Sequence, residues 1–395
     1  MATRIAPGFL ALITALVAMG VASMALYVPS LPAIQAEFAV APSETQLTLT
    51  LFFLGFSGAQ LLFGPLSDRY GRKPVLMVGL VLYAIVSLAC AFAWGIEALQ
   101  TGRFLQGFVA CVGPVVGRAV VRDMFDGPSA AGAFAILGTA LAVVPALAPM
   151  LGGLIQTHIG WRASFVLLTV LAIGLLTICV FRLKETNETR NPEALRPGRL
   201  LGIYAHLLRT PFFMGQVLVS GLAFAGFFAY FTEAPFLFIG ELGIGADTFG
   251  YLMIFTVSGY ATGSFLAGRL VPRWGPRKVV LFGCGFLLAG SGLLLALSGE
   301  LSLVRVIAPM SVYTIGFGMV IPGSMAEALR PFPRVAGSAS AVLGFFQFFC
   351  AASTSLIVQP LYDGTARLLS VVILLVAVSA LCQFLFLTRN GPPKT

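Results

Sequence analysis

Charge is scarce in this chain. Of 395 residues, 24 are Lys or Arg and 15 are Asp or Glu, so 10% are charged and 58% are hydrophobic. A soluble domain carries about 25% charged residues, and a chain this apolar cannot cover itself with a water-facing surface. Histidine is scarcer still, with only His158 and His206. A lipid-modifying membrane enzyme needs a nucleophile with its base, or a metal cluster. His158 reads as part of an outer loop and His206 as part of an inner linker, on opposite sides of the membrane, which argues against an enzyme. The six cysteines (90, 111, 179, 284, 350 and 382) all fall inside apolar runs, with no CxxC pair and no histidine at metal spacing. They read as small packing residues rather than redox or metal groups. A large ligand domain, as a receptor would need, is also missing, and no cofactor is expected.

Long apolar runs are what the chain does have. About 20 apolar residues span a bilayer as a helix. Runs near 8–29, 45–66, 74–95, 97–120, 131–155, 163–183, 212–238, 248–270, 278–298, 302–326, 335–359 and 367–388 give twelve spans, so the fold class is an all-α polytopic membrane protein. The first run is too long, and too thinly basic at its start, for a cleaved signal peptide. Met1 to Arg4 reads as a short cytosolic tail. Residues 184–210 form the one long polar break. They divide the chain into an N-terminal bundle of six helices (1–184), a cytosolic linker (185–210) and a C-terminal bundle of six (211–395).

The net charge of +9 invites a nucleic-acid partner, but its distribution does not fit one. With the amino terminus inside, every basic residue except Arg103, Arg118, Arg162, Arg305 and Arg367 falls on the inner side. That bias places both termini in the cytosol, with the protein in the inner (plasma) membrane.

The densest charge cluster of the N-terminal half is GPLSDRYGRKPVL, Gly64 to Leu76. Asp68, Arg69, Arg72 and Lys73 lie between Gly64, Gly71 and Pro74, so the chain reverses tightly at a membrane surface. An inside-positive loop would explain the arginines and lysine, but not Asp68 or the glycine spacing. The stretch resembles the signature loop between helices 2 and 3 of the major facilitator superfamily, G-x-L-x-D-R-x-G-R-K. Gly64, Leu66, Asp68, Arg69, Gly71, Arg72 and Lys73 all fit. The resemblance implies a major facilitator fold: two six-helix halves around a central site, working by alternating access. The halves repeat weakly, since Gly268, Leu270, Arg273, Gly275 and Arg277 echo Gly64, Leu66, Arg69, Gly71 and Lys73, Glu327 echoes Asp123, and Arg305 echoes Arg103. Pro272 stands where the first loop has Asp68.

Further motifs narrow the branch. L-Y-x-P-x-L-P, from Leu26 to Pro32, resembles the Bcr/CflA drug/proton antiporters. That branch typically has an aspartate where this chain has Ala25. Pro29 and Pro32 kink or end the first helix, with Pro32 read as plain termination. Arg103, with Gln106 and Gly107, resembles the helix 4 motif thought to assist proton transfer. Arg118, also within the fourth span, should face the bundle interior or water and is assigned to the substrate cavity. Arg122 and Asp123 close the fourth span. In the family this pair belongs to the charge network of Asp68, which should bridge to Arg122 and to the start of helix 11 near Gly337, shutting the cytosolic side of an outward-open state. Pro145, Pro149, Gly152 and Gly153 resemble the antiporter motif of helix 5, which favours exporters. Gly160 to Arg162 and Ala328 to Ala341 also fit the branch. Glu233 is the clearest acid inside a span, followed by Pro235, and is assigned to proton coupling with help from Arg103. Tyr27, Phe53, Tyr230 and Gln347 are assigned to the substrate cavity. The resemblance implies export of small amphipathic drugs, phenicol- or bicyclomycin-type, in exchange for protons. A porter for nucleosides, sugars or amino acids is the alternative. The partners are then a small-molecule substrate, protons and lipid, with a monomer expected.

Overall fold

A computed structural model describes residues 7–125, 127–389 and 391–392. Among them are twelve helices long and apolar enough to cross a bilayer. They are α1 (Gly8–Phe38), α2 (Pro42–Tyr70), α3 (Arg72–Ala91), α4 (Ile96–Met124), α5 (Gly132–His158), α6 (Trp161–Arg182), α7 (Pro211–Glu241), α8 (Ala246–Trp274), α9 (Pro276–Ala296), α10 (Leu303–Leu329), α11 (Ala336–Leu361) and α12 (Ala366–Leu387). A thirteenth helix, Pro197–Leu208, lies in the linker. The expected N-terminal tail, Met1 to Arg4, and Lys394 lie outside the described residues.

The turns alternate between two ends of the molecule. The basic end holds the α2–α3 and α8–α9 turns and the linker. The far end holds the turns after α1, α3, α5, α7, α9 and α11. His158 ends α5 at the far end and His206 sits in the linker helix. Across the two halves, α2 packs on α11 and α5 packs on α8.

The two echoing loops share one backbone shape. Gly71 (φ 102, ψ 155) and Gly275 (φ 77, ψ 154) sit between consecutive helices in a left-handed conformation that side chains avoid. The echo stops at the backbone. Arg103 is fully buried, whereas Arg305 is 41% exposed and pairs with Glu300 in a far turn. Asp123 pairs with Arg72, whereas Glu327 pairs with Arg330 on its own helix.

Proline shapes two helices away from ideal form. The first helix does not terminate at Pro32, as the sequence suggested. It relaxes at Val28–Ser30 and resumes as Leu31–Phe38. Pro32 occupies the first turn of that segment, where its missing N–H costs nothing. The resumed turn is anchored from α6: Trp161 Nε1 donates to Glu37 at 2.6 Å and Arg162 at 2.5 Å. In α7, Pro235 cannot donate to the preceding turn, and the helix passes into a π-helical turn, Phe236–Glu241. In α5, Pro145 and Pro149 lie within an unbroken helix.

Candidate functional site

The two halves enclose two contiguous cavities. An inner chamber of about 220 Å³ is lined by Phe56, Phe224, Phe227, Phe228, Phe231, Phe317 and Phe348, with Ala25, Gln60, Arg118, Pro145, Ser340 and Gln347. A vestibule of about 480 Å³ continues toward the basic end, lined by Gly64, Asp68, Arg72, Arg118, Arg122, Arg199, Tyr204 and Gly337 among others. Gln60, Arg118, Met325 and Ser340 line both, so they stand at the junction.

At the far end the halves meet. Gln46 Nε2 on α2 donates to Glu233 Oε2 on α7 at 3.0 Å. Gln359 Nε2 on α11 donates to Thr50 Oγ1 on α2 at 2.5 Å. Phe53 meets Phe228 edge-on with centroids 4.9 Å apart, and Phe56 lies 4.3 Å from Phe348. Bare backbone makes the closest approach. A Cβ on Gly153 would overlap the Ala246 carbonyl of α8, and one on Gly152 the Leu26 carbonyl of α1. The chamber is therefore sealed at the far end and reached from the basic end.

The assigned cavity residues separate accordingly. Arg118 and Gln347 line the chamber, and Gln347 donates to Ser220 Oγ at 2.7 Å. Tyr27, Phe53 and Tyr230 do not: all three are fully buried. Tyr27 faces the core of the N-terminal half, hydrogen-bonded to Thr48 at 2.7 Å. Phe53 belongs to the aromatic seal beneath the chamber. Tyr230 points into the packing around α7. Their helices are apolar on every face, so spacing does not reveal which face is wet.

Arg103 and Glu233 do not form the expected pair. The Arg103 guanidinium sits 4.1 Å from the Tyr27 ring centroid and 4.3 Å from that of Phe52. It donates to the Ser23 carbonyl at 3.1 Å and to Gln106. Its Nε and one terminal nitrogen are buried without a partner. The cation is held by ring faces, at roughly 0.5–2 kcal/mol each, inside the N-terminal half. Glu233 instead lies at the inter-half seal, 2% exposed.

The signature loop makes a network within the N-terminal half. Arg72 donates to Asp68 Oδ1 at 2.5 Å, to Ser67 Oγ at 2.7 Å and to Asp123 Oδ2 at 2.9 Å. With the basic end open, the bridge from Asp68 to Arg122 and Gly337, expected of the outward-open state, is not formed. The vestibule separates Asp68 from α11 at this end, and Arg72, just past the Gly71 turn, takes the carboxylate. Arg122 faces Gly337 without it: a Cβ there would lie 3.6 Å from an Arg122 nitrogen. Arg69 stacks on Tyr70, 5.3 Å from its centroid, and Lys73 Nζ donates to the Val180 carbonyl at 3.1 Å. Gly64 faces the vestibule with open space where a Cβ would stand. Among the described residues the second loop has no such network. Asp68→Asn should therefore cut transport several-fold, since charge-assisted bonds contribute about 1.5–3 kcal/mol. Arg273→Ala should be mild. Uptake assays on equal amounts of folded protein decide, and equal damage would refute the asymmetry.

The first residues of the linker were not singled out by sequence reasoning. Glu185 accepts the backbone N–H of Arg72 at 2.9 Å and of Lys73 at 3.2 Å, capping α3. Partial burial pushes this carboxyl up, but backbone N–H bonds from Asn187, Arg72, Lys73 and Thr186 outweigh it and hold the group below its ordinary value. Asn187 Nδ2 donates to the Asp68 carbonyl at 3.0 Å, and the Asn191 N–H does the same at 3.0 Å. The linker is thus clasped to the signature loop. An acid directly after the sixth span, level with the free N–H groups of the GRK turn, was the available signal.

The model of the Major Facilitator Superfamily matches residues 10–355. The chain belongs to the Major Facilitator Superfamily. Among relatives in this superfamily, the chain is 34% identical over 338 residues to a chloramphenicol resistance protein of Pseudomonas aeruginosa, covering 83% of this chain and 76% of the relative. It is 31% identical over 329 residues to the multidrug resistance protein MdtL of Klebsiella pneumoniae, covering 83% and 82%. The fold is similar to that of the xylose transporter XylE from E. coli in a partially occluded inward-open conformation, with a TM-score of 0.75 at 15% identity over 98% of each chain. This superfamily member is a multi-pass membrane transporter, and its substrate is a small molecule.

Proposed function

We propose that this transporter exports small amphipathic compounds from the cytosol in exchange for protons. The observation that carries the reading is the phenylalanine-walled chamber between the halves, open to the basic end and sealed at the other. Seven phenylalanine side chains offer apolar area and little hydrogen bonding, which suits an amphipathic drug better than a sugar. Relatives named for chloramphenicol and multidrug resistance support this class, with phenicol- and bicyclomycin-type compounds as first candidates. The basic end lies in the cytosol under this reading, as charge bias favours, and the membrane is the inner membrane.

Glu233 is the proposed proton carrier. Gln46 Oε1, beside it, is buried without a partner. A proton on Glu233 supplies the donor that oxygen lacks, so the protonated acid and the amide bond reciprocally and tie α2 to α7 at the far end. Proton loading from outside would then favour the inward-facing state. Substrate entering the chamber would favour release of the proton and the opposite state. Asp68, held by Arg72 at the basic end, is less suited to exposure on alternate sides.

Cells expressing the transporter should show raised resistance to phenicols, abolished by a protonophore. Cysteines placed at Asn191 and Asp363 report orientation: only the second should react with an impermeant thiol reagent in intact cells. Resistance indifferent to the protonophore would refute proton exchange, and reversed labelling would refute export.

A further inference from the structure

The chamber carries a charge that nothing on its own walls balances. Arg118 is the one ionisable group with a formal charge among the chamber-lining residues, and no acid lines it. Its Nε donates to the Pro114 carbonyl at 2.9 Å. That bond fixes the guanidinium plane, and no carboxylate pairs with its terminal nitrogens among the described residues. Gln60 stands at the same junction. It is 3% exposed, and its amide oxygen is buried without a partner among the described residues. Gly344 of α11 brings it across the halves, since a Cβ there would lie 2.9 Å from the Gln60 amide. Ser340 adds a hydroxyl at the junction. Ala25, also in the lining, contributes no charge. The vestibule that leads in has Arg72, Arg118, Arg122 and Arg199 against Asp68 alone. A low-dielectric cavity with convergent donors and no acid attracts negative charge and repels positive charge.

We infer that the chamber selects small aromatic anions. The apolar body packs among the phenylalanines, and the anionic end sits on the Arg118 guanidinium and the Gln60 amide at the junction. A planar guanidinium with free terminal nitrogens matches a carboxylate in two-point fashion. A lipophilic cation meets Arg118 with no acid to offset it. This inference rests on the proposed transport of amphipathic compounds through the chamber and specifies their charge.

The test is equilibrium binding to the purified full-length protein in detergent, at pH 7.5, of three probes with one ring system. These are 2-naphthoate, 2-naphthamide and 2-naphthylmethylammonium. Naphthoate should bind at least tenfold more tightly than the ammonium, with the amide between. Arg118→Gln should weaken naphthoate at least tenfold and the amide less than threefold. Arg118→Lys should keep part of the preference and guards against a folding defect in the first variant. Ala25→Asp should erase the preference by adding the missing acid. Ammonium binding as tight as naphthoate, a preference that survives Arg118→Gln, or no binding of naphthoate would each overturn the inference. Binding needs neither a gradient nor a direction. Failed efflux with the preference intact therefore strikes only the exporter reading, and the reverse result strikes only this one.

Discussion

Replacing Glu233 by glutamine should abolish transport driven by a pH gradient while leaving substrate counterflow measurable. The carboxylate is 2% exposed and takes one hydrogen bond, from Gln46 at 3.0 Å. Glutamine keeps an uncharged reciprocal pair with Gln46 at every pH, so opening of the far end no longer depends on protons. Exchange that depends on loading and unloading that group should fall at least tenfold. Binding in the chamber should persist, because Glu233 is not part of its lining. Reconstituted protein with an imposed pH step measures the first quantity, and labelled-substrate counterflow at equal pH measures the second. Undiminished pH-driven transport would place the proton site elsewhere or make the protein an uncoupled carrier.

Gly153→Val should be as damaging by a different route. The glycine backbone lies against the Ala246 carbonyl across the two halves, with no room for a Cβ. Overpacking a close contact costs about 1–3 kcal/mol even when neighbours shift. Here the neighbour is a helix backbone that cannot rotate away. Valine should wedge α5 from α8 and hold the far end open. Transport should drop more than tenfold, and a cysteine at Gln46 should become reactive to an impermeant thiol reagent from the far side. Gly138→Ala is the control, because nothing lies within 4 Å of a Cβ there. An unreactive Gln46 cysteine in the valine variant would show that the seal does not depend on this contact.

The span count was legible because apolar length is a one-dimensional property. The signature loop was legible because its glycine at φ 102 leaves a residue-type trace. The partners of its charges were not. Asp68 was expected to reach α11 in the outward-open state; with the vestibule open, Arg72, just across the Gly71 turn, holds it instead. Arg103 announced itself as an interior cation, but the rings that hold it come from α1, α2 and α6, a convergence only the fold supplies. Tyr27 and Tyr230 do not line the chamber, and helices apolar all round carry no stripe to show which face does. Gln347 could be found because a mid-span amide has few reasons to exist in an apolar helix, and Gln60 carries the same signal.

The clasped linker limits how far the halves can part. Its first residues are fixed to the signature loop as far as Asn191, and its helix, Pro197–Leu208, packs through Leu207 with Phe213, Phe332 and Val342 of the C-terminal half. Tyr204 also donates to the Leu61 carbonyl of α2 at 2.9 Å, a contact that sliding halves must break. Only residues 192–196 remain to take up motion, and they are coiled into turns closed by Glu193 with Arg196 and Arg199. Fully extended, five residues reach roughly 17 Å. The width of the basic-end mouth is thus set by a short leash as well as by helix packing. Lengthening that leash should admit bulkier solutes, without any change to the chamber that binds them.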